Sequence, residues 1–190
     1  MNSIKASIKK ILNEIKVKEK TPFGWGTEHK IFPSQKFPDR LYKVGEKDSV
    51  DRWFEIFKSN PNMFPKVYGA GYFKNNPERK FVEIEKLDTK KVDDEWTMLE
   101  FALQDIGMLD EDLEYLDDIL YAVATGNYNV HDVLSKLKLS SPKNFRLFKK
   151  WTDFITNVSR FLKSKGYEYF DVHRNNFGYD NSGNIKALDI

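Results

Sequence analysis

The chain has 190 residues, 31 Lys and Arg against 29 Asp and Glu, 15% aromatic residues and no cysteine. This length suits one domain or two small lobes sharing a cleft, and the aromatic content excludes global disorder. Without cysteine there can be no disulfide, no thiolate zinc site and no cysteine nucleophile. No apolar run approaches the ~18 residues of a membrane span. The lysine-interrupted N-terminus lacks the continuous apolar stretch of a secretory signal, so a cytoplasmic protein without a membrane span is expected.

The net charge of +2 hides a segregation. Residues 1–91 carry 20 basic and 12 acidic side chains, residues 92–135 carry 12 acidic and no basic ones, and residues 136–190 carry 11 basic and 5 acidic. Such an acidic block reads first as a solvated helix face and second as a receiver of a cationic partner.

In chain order, residues 2–20 predict an amphipathic helix, with Ile4, Ile8, Ile11 and Ile15 at helical spacing among lysines and Ser3 as a cap. From Thr21 to Thr89 the texture changes to short β-branched and aromatic runs separated by Pro and Gly. Lys30–Phe32, Arg40–Val44, Lys66–Tyr68 and Phe81–Glu85 are the predicted strands. Ser49–Ser59, carrying Trp53, Phe54, Ile56 and Phe57, is a helix stopped by Asn60-Pro61. From Asp93 the pattern is helical. One stripe runs through Leu113, Leu116, Leu120 and Val123 to Gly126, and a second through Val130, Val133, Leu134 and Leu137. Ser141-Pro142 then opens a helix with Phe148, Trp151, Ile155, Val158 and Leu162 on one face, closed at Gly166. Asp180-Asn181-Ser182-Gly183 reads as the turn of a hairpin between 177–179 and 185–188. These elements predict an α+β fold with three parts: a helix at 1–20, a sheet-containing lobe at 21–89, and a helical lobe at 90–190 that carries the hairpin.

The chemistry concentrates at the end. Asp171-Val172-His173-Arg174-Asn175-Asn176 places an Asp and an Asn five residues apart, and Asp189 follows the Asn by thirteen. A hard cation such as Mg2+ takes oxygen ligands, so an Asn amide and an Asp carboxylate suit it when phosphates and water complete its shell. A further carboxylate can orient or deprotonate an attacking hydroxyl. The competing reading is a polar hairpin whose Asp and Asn only make turns.

Asp-x-His-x-x-Asn followed by Leu-Asp resembles the catalytic and metal-binding loops of the protein-kinase-like superfamily, in the form found in small-molecule kinases of the aminoglycoside-phosphotransferase type and in atypical bacterial kinases. The resemblance implies a two-lobed kinase-like fold, with Asp171 as the catalytic carboxylate and Asn176 and Asp189 as magnesium ligands. It extends upstream in the same order. Gly24-Trp25-Gly26-Thr27-Glu28-His29 resembles a glycine loop over phosphates, with Gly24 and Gly26 as its binding positions. Lys43 stands where the family's phosphate-pairing lysine stands, and Glu55 on the following helix is its implied partner, with Asp51 competing. Phe81–Leu87 resembles the strand entering the hinge, with Ile84 against adenine and the backbone of Glu85 and Leu87 reading the adenine edge.

The implied activity is ATP- and magnesium-dependent phosphoryl transfer to a hydroxyl, on a protein or a small molecule. Tyr169-Phe170 replaces the His-Arg of eukaryotic-type protein kinases, which argues against control by a phosphorylated activation loop. The sequence ends one residue after Asp189, before the family's activation segment and substrate platform. The alternative is therefore a degenerate kinase fold serving as a binding or regulatory module for another protein. The lysines are interleaved with acids and accompany no stacking-aromatic motif, which argues against nucleic acid as the partner.

Overall fold

Alternation of apolar residues between Ile31 and Ile84 builds a five-stranded antiparallel sheet in the computed structural model, which describes residues 24–25, 29–34, 36–73, 76–109, 115–167 and 171–189. The strands are β1 (Gly24–Trp25), β2 (His29–Pro33), β3 (Arg40–Glu46), β4 (Val67–Phe73) and β5 (Asn76–Glu85), in the order β1-β2-β3-β5-β4. The four expected strands match β2, β3, β4 and β5, except that Lys66 precedes β4, and the expected helix is α1 (Lys47–Ser59). The helix expected at 2–20 lies outside the described residues. Contacts divide the chain into two compact units, Met1–Leu87 and Asp88–Ile190.

In the first unit, strand register sorts the side chains by face. Tyr42 lies opposite Phe32 on one side and Glu83 on the other, and Val44 lies opposite Phe81. Phe32, Tyr42, Val44 and Phe81 form one buried cluster, with the Tyr42 and Phe81 rings edge-to-face at 5.7 Å. Leu41 and Lys43 point to the opposite face, where α1 packs Val50, Trp53, Ile56 and Phe57. Helix α1 ends at Asn60, whose carbonyl accepts from the Met63 and Phe64 N–H groups. Phe64 then stacks on Phe57 at 5.4 Å.

The second unit contains α2 (Lys90–Asp105), α3 (Leu116–Thr125), α4 (Val130–Ser140), α5 (Pro142–Ser164), a 3-10 turn (Arg174–Asn176) and the hairpin β6 (Phe177–Tyr179) with β7 (Ile185–Ala187). The molecule is thus α+β, with five α-helices among the described residues. Helix α5 follows its sequence pattern closely. Ser141 Oγ accepts from the Asn144 N–H at 3.3 Å, Pro142 opens the first turn, and Phe148, Trp151, Ile155, Val158 and Leu162 are all buried. Gly126 and Gly166 end α3 and α5 in the left-handed region, at φ 82° and 86°, where a side chain would be strained. The stripe expected on α3 is shifted: Leu116, Ile119 and Leu120 are buried, Val123 only partly, and Leu113 lies outside the described residues.

The centre of this unit is aromatic. Trp96 of α2 meets Trp151 of α5 edge-on at 4.6 Å, and both rings contact Phe177 of β6 at 5.5 Å. Three rings from α2, α5 and the hairpin therefore fix where β6 begins, and with it the turn that precedes it. The backbone of Asp88 and Tyr179 exchanges hydrogen bonds of 2.9 and 3.0 Å, which ties the start of the unit to the same strand.

Candidate functional site

The turn between Asp171 and Phe177 is built from its own side chains. His173 Nδ1 accepts from the Asn175 N–H at 3.3 Å and caps the 3-10 turn, and the Asn176 N–H donates to the His173 carbonyl at 2.8 Å. The Asn176 amide then reaches back, with Nδ2 donating to the Asp171 carbonyl oxygen at 3.1 Å and to Asp171 Oδ2 at 2.9 Å. Both acceptors are oxygens, so the hydrogen-bond network itself fixes which way the amide points. Nδ2 is turned to Asp171, which leaves Oδ1 as the atom able to ligate a hard cation.

Hairpin register brings in the last residue of the set. Phe177 pairs with Ala187, and one step further out the Leu188 N–H donates to the Asn176 carbonyl at 2.7 Å. Asp189, partly exposed, thus follows a residue bonded directly to Asn176. Asp171 is exposed, and among the described residues Asn176 is the only partner of its carboxylate. The structure therefore collects Asp171, Asn176 and Asp189 on one connected loop and strand end. Among the described residues no group of three or more His, Cys, Asp or Glu side chains is placed to hold a metal, so a cation here would need the Asn176 amide oxygen and oxygens from outside the protein.

Two carboxylates that sequence reasoning did not single out hold this turn in place. Arg174 Nη2 donates to Glu100 Oε1 of α2 at 2.7 Å. His173 Nε2 lies 3.7 Å from Asp117 Oδ2 of α3, and the other Asp117 oxygen accepts the Trp96 indole N–H at 2.7 Å. Burial pushes the Asp117 carboxyl above its usual pKa, a shift that the charges of His173 and Arg174 and the Trp96 hydrogen bond only partly offset. Glu95 also points inward, accepting from the Trp151 indole at 3.0 Å and from the Tyr179 hydroxyl. The acidic block expected to be a solvated surface thus supplies three internal acceptors, while Asp93, Asp94 and Asp105 remain exposed. Asp110, Glu111 and Asp112 lie outside the described residues.

In the first unit, Lys43 is completely buried on β3, between Ile31 of β2 and Val82 of β5. Its ammonium lies 4.0 Å from the centre of the Trp53 ring and 5.8 Å from that of Phe57, contacts that favour a cation against an aromatic face. The expected pairing with Glu55 is corrected here. Trp53 and Phe57 are one turn apart on α1, whereas Glu55 lies about 200° around the helix from either. Glu55 is exposed and forms no ion pair among the described residues. The carboxylate that α1 does pair with a strand lysine is Asp51, and its partner is Lys80 of β5. Burial would lower the Lys80 pKa, but hydrogen bonds to Asp51 and Tyr72 and the Asp51 charge outweigh it and hold the ammonium above its usual value.

Gly24 lies in β1, paired with Ile31, and Gly26 lies outside the described residues. Ile84 is fully buried and Leu87 nearly so. The Glu85 N–H donates to the Lys66 carbonyl at 2.9 Å, and the Lys86 N–H to the Asp39 carbonyl at 2.8 Å. The chain matches no family model and no curated protein.

Proposed function

We propose that the protein is an ATP- and magnesium-dependent phosphotransferase of kinase-like fold that phosphorylates a hydroxyl acceptor. The observation that carries this reading is the Asp171–Asn176 hydrogen bond. It aims one carboxylate and one amide oxygen from a single turn, while the Leu188-to-Asn176 bond adds Asp189 to the same loop. In this reading Asn176 Oδ1 and Asp189 hold magnesium, which supplies charge neutralisation of the transferring phosphates. Asp171 orients the acceptor hydroxyl and receives its proton. Glu100 and Asp117 act through Arg174 and His173 as positioning residues, tying the turn to α2 and α3. The resemblance assigns Lys43, Gly24 and Gly26 to the phosphates and the Glu85 and Leu87 backbone to the adenine, but Lys43 is buried against Trp53, so the reading rests on the Asp171 loop.

The test is thermal unfolding of the full chain with ATP and magnesium. A ligand that binds only the folded state at a hundred times its dissociation constant adds ~2.7 kcal/mol of stability. The reading expects an upward shift that needs magnesium and disappears in Asp189→Ala. No shift at millimolar nucleotide would leave the degenerate, protein-binding alternative as the better account.

A further inference from the structure

Helix α5 carries Lys143, Arg146 and Lys150 at spacings of three and four, so the three cations share one edge of its first two turns. Across from them α2 presents Lys91, and between the two helices lies a groove of about 540 Å3. Met98 and Leu147 supply its apolar lining. Two carboxylates, Asp94 and Glu95, also border it; Glu95 is half-buried and hydrogen-bonded, whereas Asp94 is exposed and makes only a surface pair. Glu95 accepts from the Trp151 indole and the Tyr179 hydroxyl, and Asp94 pairs with Lys90 at 3.2 Å.

The cations are less well matched. Lys143 and Arg146 have no carboxylate partner among the described residues. Lys149, one position from Lys150 but turned away from the groove, is paired with Asp153 at 2.5 Å. Lys91 and Lys150 both stand over the Tyr179 ring, at 4.1 and 4.4 Å from its centre, and Lys150 Nζ donates to the Tyr179 hydroxyl at 2.9 Å. Two like charges are thus brought to one aromatic ring. Burial holds the Lys150 pKa below its usual value, and the Lys91 charge lowers it further against the pull of Glu95.

We propose that the groove between α2 and α5 is a binding site for a small phosphate monoester with an apolar body, separate from the Asp171 loop. The volume falls within the ~300–1,000 Å3 of small-molecule sites. Arg146 offers a planar fork for two phosphate oxygens, and Lys143 and Lys150 offer point charges on either side of it. Met98, Leu147 and the lysine stems receive the apolar body. The bound dianion relieves the repulsion between Lys91 and Lys150. This site does not depend on the phosphotransferase reading, since none of its residues belongs to the Asp171 turn; Glu95 borders the groove and spends Oε2 on the Trp151 indole and the Tyr179 hydroxyl.

The experiment is calorimetric titration of the full chain with phenyl phosphate, with inorganic phosphate and phenol as controls. The charge-reversed Lys143→Glu/Arg146→Glu and the loop variant Asp171→Asn/Asp189→Asn are titrated alongside. Saturable binding of phenyl phosphate is expected, tighter than either control and weakened by added salt. It should be weakened about tenfold or more in the Lys143/Arg146 variant and unchanged in the loop variant. Both reversed residues are exposed, so the melting temperature should stay near that of the parent chain and separate lost binding from lost folding. Three results would overturn the proposal: no saturable binding, binding that survives the Lys143/Arg146 reversal, or binding lost only in the loop variant. Equal affinity for inorganic phosphate would overturn the apolar half of the site.

Discussion

Two loops of the second unit use the same residue types for opposite ends. In the hairpin turn, the Asp180 carboxylate accepts from the Ser182 N–H at 3.0 Å, the Asn184 N–H at 2.8 Å and the Asn184 side chain, and pairs with the buried Lys186 at 3.3 Å. Every oxygen of Asp180 is occupied by its own turn. In the Asp171 turn, a carboxylate five residues from an Asn meets only that Asn and stays exposed. The Asp180 turn spends both oxygens of its carboxylate on itself, whereas the Asp171 turn spends one, is tied in addition to Glu100 and Asp117, and leaves its carboxylate exposed. Composition alone does not tell these loops apart; the direction in which their hydrogen bonds run does.

The comparison is broken most directly by exchanging the effects of the two aspartates. Asp171→Ala should lower phosphoryl transfer by about a hundredfold to ten-thousandfold, the usual contribution of a positioned acid or base. Magnesium-nucleotide binding and melting temperature should change little. Asp189→Ala should instead weaken nucleotide binding in a magnesium-dependent way, with Asn176→Ala between the two. Steady-state rates and nucleotide titration on the same preparations measure both. If Asp171→Ala loses activity only in proportion to its unfolded fraction, the two loops are alike and the assignment fails.

Asp180→Ala should do the reverse. It removes the acceptor shared by the exposed Ser182 and Asn184 N–H groups and one partner of the buried Lys186, which costs about 1 kcal/mol. Urea denaturation should show that loss, and the specific activity of the folded fraction should stay near that of the parent chain. A comparable effect on stability is expected at Arg174, whose pair with Glu100 is part-buried. Arg174→Ala should cost about 1 kcal/mol but lower the rate by more than the folded fraction explains, because the turn then loses its tie to α2. Restoration of the rate by Arg174→Lys without restoration of stability would separate positioning from packing.

Much of this arrangement was legible because it depends on local periodicity. The 3, 4, 3, 4 spacing of α5, its Ser141-Pro142 start and its Gly166 end are each properties of a short window, and the structure places them as read. The β4–β5 hairpin was only half visible. The sequence predicts strands only at Lys66–Tyr68 and Phe81–Glu85, yet β4 continues through Gly69-Ala70-Gly71 to Phe73 and β5 begins at Asn76, ahead of Pro77. Physical reasons exist for both. Strand β4 is the sheet edge, and its Gly71 lies opposite Phe81, where an added Cβ would approach the ring to 2.7 Å. Pro77 precedes Arg79, the residue paired with Glu46 at the end of the β3 ladder, so it interrupts no bond to that strand. The inward carboxylates were not legible because their partners are distant: Arg174 is 74 residues from Glu100, and Trp151 is 56 from Glu95. The Lys43 environment failed for another reason. The resemblance implies Glu55 as the partner, with Asp51 competing, but helical rotation presents Trp53 and Phe57 to Lys43 and turns Glu55 to solvent.

The smallest expected effect, and the one that sharpens the comparison furthest, is the opposite pH dependence of two aspartates. Burial raises the Asp180 carboxyl, but the Asn184 backbone and side-chain N–H groups and the Lys186 ammonium together outweigh it and hold it below its usual value. Asp117 is shifted the other way, because burial exceeds the help it receives from His173, Trp96 and Arg174. Stability rises with pH wherever the unfolded chain binds more protons than the folded one. For Asp180 that condition holds between its lowered folded pKa and the ordinary ~3.9 of an aspartate. Its stabilising contribution is therefore complete above this range and is lost as the pH falls through the folded value. For Asp117 the folded chain holds the extra proton, so stability falls as the pH rises from the ordinary value through the raised one. Asp180→Asn should accordingly flatten the loss of stability at the acid end. Asp117→Asn, which keeps an oxygen for the Trp96 indole, should remove the decline just above it. Free energies of unfolding measured from about pH 3 to 6 on the parent chain and both variants decide the matter. Parallel curves would mean that the turn of Asp180 does not depend on its charge, and the distinction between a loop that consumes its carboxylate and one that keeps it available would lose its electrostatic basis.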